Sequence, residues 1–103
     1  MYQVVIVDDE VTISEGIANL FPWKEIGFEA HAFSEPDKAL QYINQNQVDV
    51  LMSDIEMPEM NGLELTKEIA KADIKVVIIS YVHLIVIFIF GRNLKTLILN
   101  LVC

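Results

Sequence analysis

The chain has 103 residues, of which 53% are hydrophobic and 21% charged, and its formal net charge is −8. This length and composition fit one small domain with a packed core, and the acidity argues against nucleic-acid binding by this chain, because phosphate backbones select Lys and Arg. The single cysteine excludes an intrachain disulfide, and no basic segment precedes an apolar run at the N-terminus, so a cytoplasmic location without membrane association is expected.

The charges divide the chain into two parts. All 15 acids lie between Asp8 and Asp73, whereas residues 81–103 carry only Arg92 and Lys95 within a crowd of Ile, Leu, Val and Phe. We therefore predict a domain over residues 1–80 and a separate hydrophobic tail over residues 81–103.

Within the first part, apolar runs of strand length alternate with segments of helical spacing. Strands are predicted at 2–7, 28–33, from 48 and at 74–79, and helices at 10–21, from Ser34 as N-cap with Pro36 in its first turn, and at 62–72. The order βαβαβαβ predicts an α/β fold, a doubly wound parallel sheet of the flavodoxin-like type that lacks its last strand and helices.

The run that begins at Val48 stops on Asp54 and is followed by the turn signals Met57-Pro58 and Asn61-Gly62. A buried strand that delivers a carboxylate to a loop predicts a reactive or metal-binding Asp54, since ligands of such sheets bind beyond the carboxyl ends of the strands. The alternative is an acid that only solvates the loop.

In the flavodoxin-like strand order, strands 1 and 3 are neighbours, which brings Asp8, Asp9 and Asp54 together with Ser80 alongside. Clustered carboxylates repel one another unless a cation lies among them, and Mg²⁺ prefers carboxylate and carbonyl oxygens. An aspartate can also attack phosphorus, and the Ser80 hydroxyl could bind a phosphate oxygen. The alternative for Ser80 is a small polar residue at a strand end.

Residues 2–80 resemble the receiver domain of bacterial two-component response regulators. The motifs that carry this resemblance lie at 6–10, 53–58, 61–65 and 76–80. The connector at 20–28 is similar to a subgroup whose receivers precede an arabinose-regulator-type DNA-binding domain.

The resemblance implies a role for each matching residue. Asp54 corresponds to the phosphoacceptor of a sensor histidine kinase, and Asp9 and Asp54 to direct Mg²⁺ ligands, assisted by the backbone carbonyl of Glu56. Asp8 corresponds to the acid that holds the metal through water. Ser80 corresponds to the Ser/Thr whose hydroxyl follows the phosphate when the domain switches state, and is called the switch hydroxyl here. The resemblance implies a signalling domain and not an enzyme.

After Ser80 the match ends, because Tyr81 occupies the position of a small residue and no Lys-Pro pair follows. In the family that the chain resembles, the lysine of that pair binds the phosphate, so phosphorylation is expected to be impaired. Three interpretations of residues 81–103 stay open: a membrane span, which would be short; a β-hairpin that sends Leu84 to Phe90 back along strand 4; or sequence that is foreign to the domain and read out of frame.

Two other functions are retained as alternatives. Asp54-Ile55-Glu56 is similar to the Asp-x-Asp motif of phosphatases with an aspartate nucleophile, although the paired Asp8-Asp9 is unexplained by that family. The chain could also be a non-functional remnant or a small membrane-associated protein. Self-association through a bare sheet edge and the apolar tail is expected as well.

Overall fold

A computed structural model of the chain describes residues 1–54, 56–69, 74–80, 85–90 and 97–100. For residues 79–80, 85–90 and 97–100 the description is of the backbone. Within the described residues the strands and α-helices are β1 (Tyr2–Val7), α1 (Val11–Leu20), β2 (Phe28–Phe33), α2 (Pro36–Gln45), β3 (Val50–Asp54), α3 (Gly62–Glu68), β4 (Lys75–Ser80), β5 (Ile85–Phe90) and β6 (Leu97–Asn100), and a short 3₁₀ helix spans Trp23–Ile26.

The strands form one sheet in the order β2-β1-β3-β4-β5-β6, and the first four strands of the chain are parallel. The predicted flavodoxin-like arrangement is thereby confirmed for β1 to β4. In the register of β1 and β3, Val7 is paired with Ser53. The next residues along the two strands, Asp8 and Asp54, therefore emerge at the same edge of the sheet, as predicted.

The core lies mainly between the sheet and the pair α2 and α3. Its buried members come from β1, α2, β3, α3 and β4: Val5, Val7, Ala39, Ile43, Leu51, Leu65, Val76 and Ile78. β1 is buried on both faces, since Val4 and Ile6 are as inaccessible as Val5 and Val7. Such burial explains the unbroken apolar run of β1, which is typical of a central parallel strand.

The helix that follows β1 leaves apolar residues at both of its ends exposed. Ser14 is the buried residue of α1, whereas Val11 and Leu20 are exposed. On β3, Leu51 and Ser53 are buried and the alternate residues Val50 and Met52 are only half-buried. One face of the described sheet is therefore less completely covered than the face against α2 and α3.

Two predicted helix boundaries are wrong. α2 has Glu35 as its N-cap residue, with no side-chain capping bond, so Ser34 does not cap it. α3 ends at Glu68 and not at residue 72, since Ile69 already has extended backbone geometry. Residues 70–72, the last part of the predicted helix, lie outside the described residues.

The hairpin is the interpretation of the tail that the structure supports. β5 runs antiparallel to β4, with Ser80 paired with Ile85, and β6 runs antiparallel to β5. β4 thus has a partner on the side where the sequence predicted a bare edge, and the edges of the described sheet are β2 and β6. Among the described residues, no helix is long and apolar enough to span a membrane.

Candidate metal centre at the carboxyl ends of β1 and β3

The structure brings together the three acids that the sequence places at one edge of the sheet. Asp8, Asp9 and Asp54 each offer a carboxylate oxygen, and these oxygens all lie within 4.8 Å of one another. Asp8 is buried, Asp54 half-buried and Asp9 exposed. The group therefore opens toward solvent on one side and is anchored in the sheet on the other.

Asp8 is the residue that burial perturbs most. Its side chain follows the central strand β1 and is only 2% exposed. The pKa of Asp8 is raised from 3.8 to about 6; burial is the largest cause, the negative charges of Asp54, Asp9 and Glu10 add to it, and the hydrogen bond from the Glu10 amide opposes it. Without a cation, the folded protein therefore keeps a proton on Asp8 up to a higher pH than an ordinary aspartate does.

The two oxygens of Asp8 differ in their contacts. Oδ1 accepts a hydrogen bond of 3.0 Å from the backbone amide of Glu10. Oδ2 is buried and has no hydrogen-bond partner among the described residues. A buried oxygen without a partner is costly, so this atom requires a proton, a water molecule or a cation.

Asp54 is held through both its backbone and its side chain. Its carbonyl oxygen accepts a hydrogen bond of 3.0 Å from the Ser53 hydroxyl, and its Oδ1 accepts one of 3.2 Å from the amide of Glu56. The strand pairing of Asp54 with Ile79 fixes the same peptide from the other side. These contacts fix the position of the Asp54 backbone and orient its carboxylate at the end of β3.

The donor set fits a hard divalent cation. Three carboxylates within a few ångströms supply negative charge and oxygen ligands, and the partnerless Oδ2 of Asp8 supplies a buried atom that needs a positive neighbour. Mg²⁺ binds through a few carboxylates and keeps several waters, which the exposed side of the group permits.

The other predicted site residues lie near this group. The amide of Glu56 contacts the Asp54 carboxylate, so the Glu56 backbone is adjacent to the site; its carbonyl as a ligand stays a prediction. Ser80 is the last residue of β4, and its backbone lies one residue beyond the one paired with Asp54. The side chain of Ser80 lies outside the described part of the chain, so its hydroxyl also stays a prediction.

The sequence reasoning missed three contributors to the site. Asn61 caps α3 through a capping box, in which its side chain accepts from the amide of Glu64 at 2.8 Å and Glu64 bonds back. The spacing Asn-x-x-Glu is the signal that could have revealed it. The Ser53 hydroxyl donates to the Asp54 carbonyl, and a Cβ built on Gly62 would come within 2.8 Å of the same oxygen. No local pattern indicates either approach.

The chain is similar to a known protein family and to curated relatives. The family model of the response regulator receiver domain matches residues 4–87. The transcriptional regulatory protein HptR of Staphylococcus aureus is 38% identical over 81 residues, which are 78% of this chain but 32% of HptR. The chain thus spans about a third of that relative's length.

Solved structures of response regulators are also similar to this chain. The response regulator protein TrrA of Thermotoga maritima in complex with Mg²⁺-BeF is 32% identical, with a TM-score of 0.69 over 78% of this chain and 70% of that chain. TrrA in complex with the histidine kinase ThkA is 31% identical, with a TM-score of 0.68 over 79% of this chain and 70% of that one. Together with the family match, these likenesses show that the chain belongs to the receiver-domain family of two-component response regulators.

Proposed function

We propose that this chain is a phosphoacceptor, in which Asp54 takes a phosphoryl group from a sensor histidine kinase when Mg²⁺ is bound. The observation that carries the proposal is the meeting of the Asp8, Asp9 and Asp54 carboxylates within 4.8 Å at the carboxyl ends of two neighbouring strands. The structure of TrrA with its kinase supports a kinase as the partner class.

The proposed step is a direct transfer. An oxygen of the Asp54 carboxylate forms a bond to phosphorus as the bond from phosphorus to the kinase histidine breaks, and the released imidazole nitrogen takes up a proton. The bond from the Glu56 amide to Oδ1 orients the carboxylate. Bound Mg²⁺ would neutralise charge on the phosphoryl oxygens, and Asp9, Asp54 and the Glu56 carbonyl would be its direct ligands, with Asp8 acting through water.

Two further features of the site enter the proposal with defined roles. The Ser80 hydroxyl would bind an oxygen of the phosphoryl group on Asp54, which the position of the Ser80 backbone beside β3 supports. No Lys-Pro pair follows Ser80 in the sequence, so we expect phosphorylation to be slow compared with that of receivers that have the lysine.

The remaining partners follow from charge and topology. We propose that the protein is cytoplasmic. We also propose that this chain does not bind DNA, because its net charge is −8 and phosphate backbones select Lys and Arg. A salt-dependent gel shift at micromolar protein would contradict the second proposal. The edge strands β2 and β6 and the apolar tail support self-association, which sedimentation velocity tests. A monodisperse monomer would contradict the latter expectation.

The division at Ser80 is also a proposal. A β-prone apolar run can pair with the open edge of a parallel sheet whatever its origin, so the pairing of β5 with β4 is compatible with a tail that is foreign to the domain. We propose that residues from about Val82 are read out of frame, which would explain why no acid and none of the quoted family motifs occurs after Ser80.

The coding DNA tests this proposal directly. We expect the shifted frame to continue the receiver pattern to a Lys-Pro pair, followed by an arabinose-regulator-type DNA-binding domain, because the connector at 20–28 is similar to that subgroup. Immediate stop codons in the shifted frame would contradict the frame shift.

One labelling experiment separates the proposed function from its alternatives. The purified chain is incubated with acetyl phosphate and Mg²⁺ and followed by intact mass spectrometry. We expect a slow mass increase of a single phosphoryl group that EDTA prevents. In a parallel incubation, hydrolysis of p-nitrophenyl phosphate without labelling by acetyl phosphate would support the aspartate-nucleophile phosphatase. The absence of both reactions would support a non-functional remnant.

A further inference from the structure

The first residue of α3 lies directly on the peptide that carries the candidate phosphoacceptor. A Cβ atom built on Gly62 would lie 2.8 Å from the carbonyl oxygen of Asp54, 3.2 Å from the Ser53 hydroxyl and 3.3 Å from a side-chain carbon of Ile78. Ordinary van der Waals contact begins at 3.4 Å, and the nearest of these atoms belongs to the backbone. A side chain at position 62 therefore requires either α3 or the end of β3 to move by several tenths of an ångström.

Neither neighbour can move freely. β3 is paired on both sides, and the Asp54 carbonyl already accepts a hydrogen bond from Ser53. The start of α3 is fixed by the Asn61–Glu64 capping box and by the bond of 2.8 Å from the Thr66 hydroxyl to the Gly62 carbonyl. Leu65, one turn into the helix, is fully buried in the core.

We infer that Gly62 is a positioning residue for the acid cluster. Its missing Cβ lets α3 rest against the Asp54 carbonyl, and this contact, together with the Ser53 hydroxyl, sets the position of the Asp54 carboxylate relative to Asp8 and Asp9. The inference rests on the proposed Mg²⁺-dependent function of that cluster. Because Mg²⁺ demands near-ideal octahedral geometry, a shift of several tenths of an ångström in one ligand weakens binding.

The inference reverses the expectation from helix propensity. Gly62 has no left-handed backbone geometry and lies in a helix, where Ala is normally the better residue. A gain in stability on substitution to Ala is therefore expected wherever space allows. Gly16 provides that case, since it lies in α1 and a Cβ there would meet nothing within 4 Å.

The experiment compares Gly62→Ala with two control variants of the full chain. Gly16→Ala makes the same chemical change in open space, and Ile43→Val loosens the buried core of α2 without reaching the acids. Mg²⁺ affinity is measured by isothermal titration calorimetry at a temperature where thermal unfolding shows each variant to be folded. We expect Gly62→Ala to bind Mg²⁺ about tenfold more weakly, and both controls to bind as the wild type does.

A role for Gly62 in stability alone predicts a different pattern, in which Gly62→Ala and Ile43→Val lower the unfolding midpoint and both keep wild-type affinity. That pattern would overturn the inference. If Gly62→Ala does not fold, Ser53→Ala tests the inference instead, because it removes the hydrogen bond to the Asp54 carbonyl without adding an atom. We expect it to weaken Mg²⁺ binding about threefold, and unchanged affinity would overturn the inference.

The wild-type chain separates this inference from the proposed function. Mg²⁺ binding that depends on Gly62, without labelling by acetyl phosphate, would leave the positioning role intact and overturn the phosphoacceptor. Labelling of the wild type, together with unchanged Mg²⁺ affinity in Gly62→Ala, would support the phosphoacceptor and overturn the positioning role. Absence of Mg²⁺ binding by the wild type would overturn both.

Discussion

Asp8→Asn should make the metal-free protein more stable at pH 7, by on the order of 2 kcal/mol, and should remove most of the pH dependence of unfolding between pH 4 and 6. The pKa of Asp8 is about 6 in the folded chain against an ordinary value of 3.8. The folded state therefore binds the proton more tightly, and this contribution to stability is present below about pH 4 and is lost as the pH rises through 6.

Denaturant unfolding followed by Trp23 fluorescence measures this effect. Trp23 is a suitable reporter of folding because its ring packs against Phe21 and Phe28 and its Nε1 donates to the Ile17 carbonyl, at the opposite end of β1 from the acids. Asp37→Asn removes an exposed acid of α2 and serves as the control, with the wild-type pH dependence expected. An unchanged pH profile in Asp8→Asn would contradict the assignment of the perturbed pKa.

Asp9→Asn should weaken Mg²⁺ binding at least about tenfold, because it removes one of the proposed direct ligands. Glu10→Gln is a matched control, since it removes the same charge one residue along the chain from an exposed side chain outside the cluster. Loss of general negative potential would affect both variants alike, whereas loss of a ligand affects Asp9→Asn alone. Equal affinities in Asp9→Asn and the wild type, measured by calorimetry, would show that the metal site is misplaced.

The positions of the strands and the acid cluster could be predicted from the sequence because they depend on local pattern and topology. Apolar runs of strand length marked β1 and β3, and right-handed βαβ crossovers make their carboxyl ends meet. Asp8, Asp9 and Asp54 then follow from their places at the strand ends, and the structure brings them together as predicted.

Features that depend on tertiary contacts could not be predicted in the same way. Ser34 has the right side chain and spacing for a helix cap, yet α2 begins one residue later without a side-chain cap, because capping preference is weak beside the packing of Ala39 and Ile43. Gly62 reads locally as the end of an Asn-Gly turn signal. Its close approach to Asp54 arises only when α3 folds back on β3.

The tail shows the same limit from the other direction. Its apolar, β-prone run fits a short membrane span, a hairpin along strand 4 or sequence foreign to the domain, and the sequence alone does not select one of them. The structure pairs the backbone of this run antiparallel with β4, whereas β1 to β4 are parallel to one another. This pairing covers the edge of β4 with a segment that has no counterpart of the Lys-Pro pair.

Mapping the phosphoryl group after reaction with acetyl phosphate and Mg²⁺ tests the central claim most directly. Acyl phosphates are trapped by borohydride reduction, and peptide mass spectrometry then identifies the modified residue. We predict modification at Asp54, dependent on Mg²⁺ and absent in Asp54→Asn, with Asp37→Asn labelled like the wild type. Acid-stable phosphate on Ser80, or undiminished labelling of Asp54→Asn, would contradict the assignment of Asp54 as the phosphoacceptor.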